Sequence, residues 1–490
     1  MRSIGVWLCT LSLCLIAGSA SHGQSSAAIP STPSDPPSLR LSVPLDEVVT
    51  DLEIFIPDFM DEQRIPGLAI ALIRDGKIAW TEGFGVANVI TRRPVTADTL
   101  FEVASNSKVL TAYIALRLVD QGVLSLDAPL NSYLPEPWLP ASEVRDAITL
   151  RHVLSHSSGL GHGGFSRESL FAPGRGYSYS ALGFLYLQAV LEQVTGRSLE
   201  SLAVDLIFTP LGMASTSFVN REDLTSRTAN GHLWALVPVV LFVVLFIVSV
   251  ALIAIPGWIV LRVWTGRWHP SGRVVSGMVL AALVVSILAA YLFLRHIDLL
   301  EFAWLFALCG LVVVGVPALA AFAARARTAL AFAAAVLAVI ALGLLAFTSR
   351  NLPLPRWPAV SPGAASSVRA PAGDMAAFLI ELAHPKLLEP ETAAEIRTPQ
   401  IQLTSNLSWG LGPGILHGPE GEALWQWGQH FDFQSVMIIY PEHGLGVVLL
   451  TNSDLLNPDV AIEVAHRALG GQIESLLRAS HLDFNYRPQQ

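Results

Sequence analysis

Lysine is almost missing from this chain. Of its 30 basic residues, Lys77, Lys108 and Lys386 are lysines and the rest are arginine. With no basic run and a formal net charge of -9, the sequence offers no surface for nucleic acid, and none is expected as a partner. Cysteine is equally scarce: Cys9, Cys14 and Cys309 all fall in apolar stretches. The polar parts of the chain therefore have no disulfide and no thiol nucleophile. The 13 histidines include no H-E-x-x-H or comparable spacing, so no metal or other cofactor is expected. Charge itself is sparse, with 14% charged against 52% hydrophobic residues. That balance excludes an ordinary soluble enzyme of 490 residues and points to membrane spans beside one or more folded domains.

The apolar excess is concentrated in two places. Residues 1–23 read as an export signal, with Arg2 at its start, an apolar run from Ile4 to Ala17 and small residues at Gly18-Ser19-Ala20. An uncleaved anchor is the alternative. Residues 24–44, rich in Ser and Pro up to Ser38, read as a flexible linker. The second concentration is 232–350. Leu233–Leu261, Val274–Leu294, Phe302–Ala323 and Thr328–Phe347 are each long enough to cross a bilayer, which takes about 20 residues. Arg262, Arg267 and Arg273 in the first connection, and Arg325 and Arg327 in the third, place those connections in the cytoplasm. Four spans return the chain to the side it left. The flanking parts, 45–231 and 351–475, can then form one domain outside the membrane, with 476–490 as a tail. The spans carry no Asp, Glu or Lys at their centres, so anchoring is favoured over transport.

Against the shortage of lysine, Lys108 stands out. Phe101-Glu-Val-Ala-Ser-Asn-Ser-Lys108 contains Ser105-x-x-Lys108, which at a helix start puts a hydroxyl and an amine on one face. A serine hydroxyl becomes a nucleophile when a neighbouring base takes its proton. Lysine can be that base once burial lowers its pKa, whereas arginine stays protonated. An N-cap serine followed by a surface lysine is the bland alternative.

Several further segments decide between these readings. Ile65-Pro-Gly-Leu-Ala-Ile-Ala-Leu-Ile-Arg-Asp-Gly-Lys77 is strand-like, with a turn at Asp75-Gly76. Ile148–Leu160 contains His156-Ser-Ser-Gly-Leu160, Pro210-Leu-Gly-Met-Ala-Ser-Thr216 follows, and Ala372-Gly-Asp-Met375 opens a helix. Together with Ser105-x-x-Lys108, these segments resemble the serine β-lactamase and penicillin-binding protein superfamily. The branch they are most similar to is that of class C β-lactamases, D-aminopeptidases and related esterases. The likeness runs over about 45–230 and 364–469.

The resemblance implies an α+β fold: a β-lactamase/transpeptidase-like antiparallel sheet flanked by helices, with a helical subdomain, here interrupted by the four spans. It assigns Ser105 as nucleophile, Lys108 as base and Tyr179 as proton relay. Tyr177 competes for the last role, but the spacing to Gly183 favours Tyr179. The family's Tyr-x-Asn becomes Tyr179-Ser-Ala181. Its third motif, a Lys-Thr-Gly or His-x-Gly on an edge strand, becomes Gln426-Trp-Gly428. The oxyanion donors would be the backbone N–H groups of Ser105 and Gln429. His430 reads as a loop residue that a shifted register would bring into the pocket. His156 and Asp127 read as structural.

The expected activity is acyl transfer through an acyl-enzyme, on a small-molecule or peptide substrate with a scissile acyl bond: a D-amino-acid peptide, a β-lactam or an ester. Without the asparagine and the cationic third motif, β-lactam hydrolysis should be weak and esters preferred. The expected location is the bacterial inner membrane, multi-pass, with lipid as a partner and the catalytic domain outside. A membrane sensor and a non-catalytic envelope-binding scaffold are the other readings.

Overall fold

The computed structural model describes residues 38–142, 144–162, 169–234, 351–353, 363–430, 432–453, 458–473 and 476. The expected signal, most of the linker, the four spans from residue 235 onward and the tail after residue 476 lie outside the described residues. Among those described, no helix is long and apolar enough to cross a membrane.

A nine-stranded antiparallel sheet organises the domain, in the order β3-β2-β1-β13-β12-β11-β10-β9-β8. Its first strands are β1 (Gly67–Arg74), β2 (Lys77–Asn88) and β3 (Arg93–Pro94). Asp75 and Gly76 join β1 to β2, both at positive φ, as a tight hairpin turn requires. The remaining strands come from the far end of the sequence: β8 (Ile401–Thr404), β9 (Leu407–Trp409), β10 (Gly414–Gly418), β11 (Gly421–Gln429), β12 (Gln434–Tyr440) and β13 (Leu445–Thr451). The join is β1 on β13, in register Leu68↔Thr451 through Ile73↔Gly446. The two segments that flank 232–350 thus share one sheet and one domain.

Both faces of the sheet are covered, so β1, β12 and β13 are buried along almost their whole length. On one face α1 (Leu45–Gln63) lays down Val48, Leu52, Ile56 and Phe59 at helical spacing. Beside it lies α8 (Pro458–Leu469), whose Arg467 stacks on Phe55 and pairs with Asp51. Residues 39–44, expected to be linker, are docked here instead. Leu39 is buried, and the Arg40 N–H donates to the Leu469 carbonyl at 2.8 Å.

The other face carries α2 (Asn106–Asp120) and α6 (Ala372–Ala383). Between them in sequence come α3 (Leu150–Leu154), α4 (Ala181–Thr195) and α5 (Leu199–Ala203); α7 (Pro390–Ile396) follows α6. Helix α2 is buried almost all round, because the sheet lies on one side and α4 and α5 on the other. Two short ribbons also cross between the halves of the sequence. β4 (Phe101–Glu102) pairs with β7 (Arg369–Ala370), and β5 (His232–Trp234) with β6 (Asn351–Pro353). The second ribbon corrects the expected span boundary. Leu233 and Trp234 are strand, because pairing with Leu352 and Asn351 satisfies their backbone groups before the apolar segment begins.

Candidate active site

The turn that carries Ser105 is built from the chain between β4 and α2. Ala104 has a positive φ of 45°, a costly conformation for a residue with a Cβ. The surroundings hold it there. The Ala104 carbonyl accepts from the Ser107 hydroxyl at 2.6 Å, and the Val103 carbonyl accepts from the Ser435 hydroxyl at 2.7 Å. Ser435 in turn accepts from Asn106 Nδ2 at 2.7 Å. The turn delivers Ser105 to the N-cap position of α2, yet its side chain caps nothing. The hydroxyl instead accepts from Lys108 Nζ at 2.9 Å.

Lys108 is no surface lysine: it is 1% exposed. Its Nζ also donates to the Ala365 carbonyl at 2.9 Å and lies 5.0 Å from the centre of the Tyr179 ring. Burial disfavours the ammonium and pulls its pKa down to about 7. In the family pattern an asparagine two residues after the tyrosine could have met this amine. Ala181 has no polar side chain to do so, and the Ala365 carbonyl is a partner of the amine instead. Sequence reasoning missed Ala365, because a backbone acceptor leaves no signature in residue type.

Tyr179 comes from the loop before α4, and its ring is wedged among other rings. His156 lies 4.3 Å away centre to centre, His162 5.4 Å and Trp409 5.8 Å. Its hydroxyl accepts from Gln426 Nε2 at 2.8 Å and is hydrogen-bonded to Ser105. Burial pushes the phenol up to about 12, so it is protonated. Tyr177 is also buried and packs on His156 and Trp409. His156 is fully buried at a φ of 55°, and its Nδ1 accepts from the Ser180 N–H at 3.0 Å. Burial holds this imidazole well below its ordinary pKa, and its place in the site is that of a wall.

Gln426 and Gly428 reach the site from β11. That strand is internal to the sheet, not the edge strand the resemblance implies. Its neighbour β10 nevertheless stops at Gly414↔Trp425, so Gln426–Gln429 pair with β12 alone and turn their other side to Ser105. Gly428 permits the approach: a Cβ there would stand 2.8 Å from the Ser105 nitrogen and 2.6 Å from the Ser435 hydroxyl. Gln426 is 1% exposed and also lies 3.4 Å from the Ser105 carbonyl. Gln429 follows at the exposed end of the strand. Ser105, Lys108, Tyr179, Gln426 and Gly428 are therefore brought together.

His430 does not enter this pocket. Its Nδ1 meets Glu102 Oε2 at 2.9 Å, and Glu102 Oε1 holds the Arg369 guanidinium at 2.5 Å. Burial alone would raise the Glu102 pKa; the bonds and charges of His430 and Arg369 outweigh it and keep the carboxylate ionised. Glu102, His430 and Asp432 present oxygens and a nitrogen within 4.8 Å of one another, a grouping that could suit a metal ion. Arg369 already supplies positive charge there. Asp127, read as structural, lies in a bend and pairs with Arg151 at 2.7 Å.

The family model described as Beta-lactamase matches residues 52–251 and 315–472, more than half of the chain. The chain belongs to the Beta-lactamase family. Esterase EstB of Burkholderia gladioli is 34% identical over 204 residues, covering 35% of this chain and 52% of that protein. Penicillin-binding protein 4 of Amycolatopsis lactamdurans is 31% identical over 195 residues, covering 35% and 50%. An unguisins hydrolase of Aspergillus campestris is 29% identical over 220 residues, covering 39% and 40%. The chain thus spans about half, or less, of the length of these relatives. Among solved structures, the octameric penicillin-binding protein homologue from Pyrococcus abyssi superposes with a TM-score of 0.55 at 18% identity, over 89% of this chain and 78% of that one. That likeness shows the fold, and it agrees with the Beta-lactamase family assignment.

Proposed function

We propose that this chain is a membrane-anchored serine hydrolase that cleaves esters, or amides poor in negative charge, through an acyl-enzyme. The observation that carries this reading is the buried Lys108 amine 2.9 Å from the Ser105 hydroxyl, with a pKa near neutrality. In the reaction, neutral Lys108 takes the Ser105 proton while Oγ bonds to the substrate carbonyl carbon. The carbonyl π pair moves onto oxygen, toward the N–H groups of Ser105 and Gln429. When that pair returns, the bond to the leaving atom breaks. The leaving group takes a proton from the Lys108 ammonium by way of Tyr179, whose phenol accepts from Gln426 and is hydrogen-bonded to Ser105. Water then repeats the sequence, releases the acid and restores the Ser105 hydroxyl.

The preference for esters rests on Gln426. It brings an amide where a cation would draw in a substrate carboxylate, as a β-lactam or a peptide terminus requires. The names of the relatives, an esterase and a penicillin-binding protein among them, support acyl chemistry without choosing the substrate. Anchoring rests on the four apolar stretches and on the β5–β6 ribbon, which brings the two ends of 235–350 side by side. An even number of crossings returns the chain to the side it left, which is compatible with that pairing. The proposed location is the bacterial inner membrane, with the sheet domain outside.

One experiment tests both parts. Membranes from cells expressing the full chain, or its Ser105→Ala variant, are washed with alkaline carbonate and treated with a fluorescent fluorophosphonate and a fluorescent penicillin. We expect fluorophosphonate labelling of the wild type alone, retained after the wash, with little penicillin label. Label lost in the wash would overturn the anchor. Equal labelling of the variant, or none of either protein, would overturn the hydrolase.

A further inference from the structure

Three segments supply the site's backbone groups. The β4–α2 turn carries the Ser105 N–H, the chain before β7 carries the Ala365 carbonyl that receives Lys108, and the end of β11 carries the Gln429 N–H. These segments lie far apart in sequence, and one group of hydrogen-bonded side chains lies across all three. Glu102, at the end of β4, receives Arg369 of β7 at 2.5 Å and His430, next to Gln429, at 2.9 Å. The carboxylate is 11% exposed, the guanidinium 7% and the imidazole 27%. The loop that holds His430 is short: the His430 N–H donates to the Phe433 carbonyl at 2.8 Å, and Gln429 pairs with Gln434. At its far side Asp432 packs against Gly231, where any Cβ would overlap the carboxylate.

Accepting the acyl-transfer reading above, we infer that Glu102, Arg369 and His430 form a hydrogen-bonded clamp that sets the spacing between the backbone amides of Ser105 and Gln429, with His430 as the positioning residue for Gln429. Oxyanion stabilisation needs two donors at fixed distances from one developing charge, and a few tenths of an ångström are felt. Gln429 is at the exposed end of β11, beyond the reach of β10, so strand pairing holds it from one side only. The His430–Glu102 bond supplies the second hold. Glu102 lies three residues before Ser105, so the tie runs directly from one amide to the other. Arg369 holds the carboxylate from the other side and orients it to receive the imidazole.

The test uses the full chain in detergent and the rate constant for fluorophosphonate labelling, in which the phosphoryl oxygen takes the place of the acyl oxygen. We expect His430→Ala to slow labelling and ester turnover by about 10- to 100-fold, somewhat less than outright loss of an oxyanion donor. KM and the pH at which activity rises should stay as in the wild type, because Lys108 owes its shift to burial. His430→Asn, whose amide N–H can stand where Nδ1 stood, should restore most of the rate. Thermal melting of both variants reports folding. A labelled wild type with His430→Ala labelled equally fast would overturn the clamp alone. So would a loss that His430→Asn does not repair in protein that melts normally. A wild type that takes no label overturns the clamp together with the acyl-transfer reading.

Discussion

The half of the site around Ser105 and the half around Gln426 are made differently. Around Ser105 most side chains are tied down: Lys108 holds Ser105 and Ala365, Ser107 holds Ala104, and Ser435 holds Val103, with Asn106 Oδ1 left over. Residue type is constrained there, because only an amine that can lose its proton performs the chemistry. Around Gln426 and Ala181 the family's charged and amide groups have been exchanged for a neutral amide and a methyl. The Gln426 Oε1 is buried with no hydrogen-bond partner. Proton transfer tolerates little change, while recognition can drift with the substrate. The family resemblance is correspondingly strong on the first side and loose on the second.

The harshest way to break this contrast is at Lys108. Lys108→Met should abolish acyl transfer, with a loss on the order of 10⁴-fold or more, as for removal of a triad member. The same change should stabilise the fold. A lysine with a folded pKa of about 7 and an unfolded value of 10.5 binds fewer protons when folded between those pH values. Stability therefore rises with pH across that window and is lowest below it. At pH 7 the buried amine costs about 2–5 kcal/mol, which methionine would return. The wild type should show kcat/KM rising as pH climbs through about 7, when Lys108 sheds its proton. A melting temperature that falls in Lys108→Met, or a pH profile flat from 5 to 9, would contradict the assignment of a buried base.

Next in size is Gly428→Ala, where the two halves touch. An added Cβ meets the Ser105 nitrogen at 2.8 Å and the Ser435 hydroxyl at 2.6 Å, so β11 must retreat from the nucleophile. Overpacking of this kind costs about 1–3 kcal/mol. The loss of activity should exceed what that destabilisation explains, at about 100-fold, because the oxyanion donors separate. Activity and urea melts measured side by side decide this, and a variant that loses stability but keeps its turnover would refute the approach of β11.

Much of this arrangement was legible in the sequence because it is local. Ser105-x-x-Lys108 needs one helical turn, Asp75-Gly76 makes its own hairpin, and Ala372 starts its own helix. Pairing across the insert was not legible. That β1 lies on β13, or that β4 lies on β7, follows from which strands bury each other's faces, and no short pattern encodes it. Charge ties had the same fate: Glu102 is 267 positions from Arg369 and 328 from His430, and each alone reads as a surface residue. Ala365 stayed invisible because any residue can offer a carbonyl.

The smallest expected effect sharpens the comparison from the recognition side. Gln426→His returns a ring N–H close to the Tyr179 hydroxyl and, when protonated, a cation. Ester turnover should change little, about threefold, since one neutral hydrogen bond is exchanged for another. Turnover of a carboxylate-bearing substrate such as nitrocefin should rise by about tenfold, the worth of one charge-assisted hydrogen bond. The gain should fade with rising pH as the new imidazole loses its proton, whereas ester turnover still follows Lys108. If nitrocefin turnover is already fast in the wild type, or does not respond to Gln426→His, then Gln426 is not what separates this site from its penicillin-recognising relatives. Selectivity must then be sought in the aromatic wall of Trp409 and His162 around Tyr179.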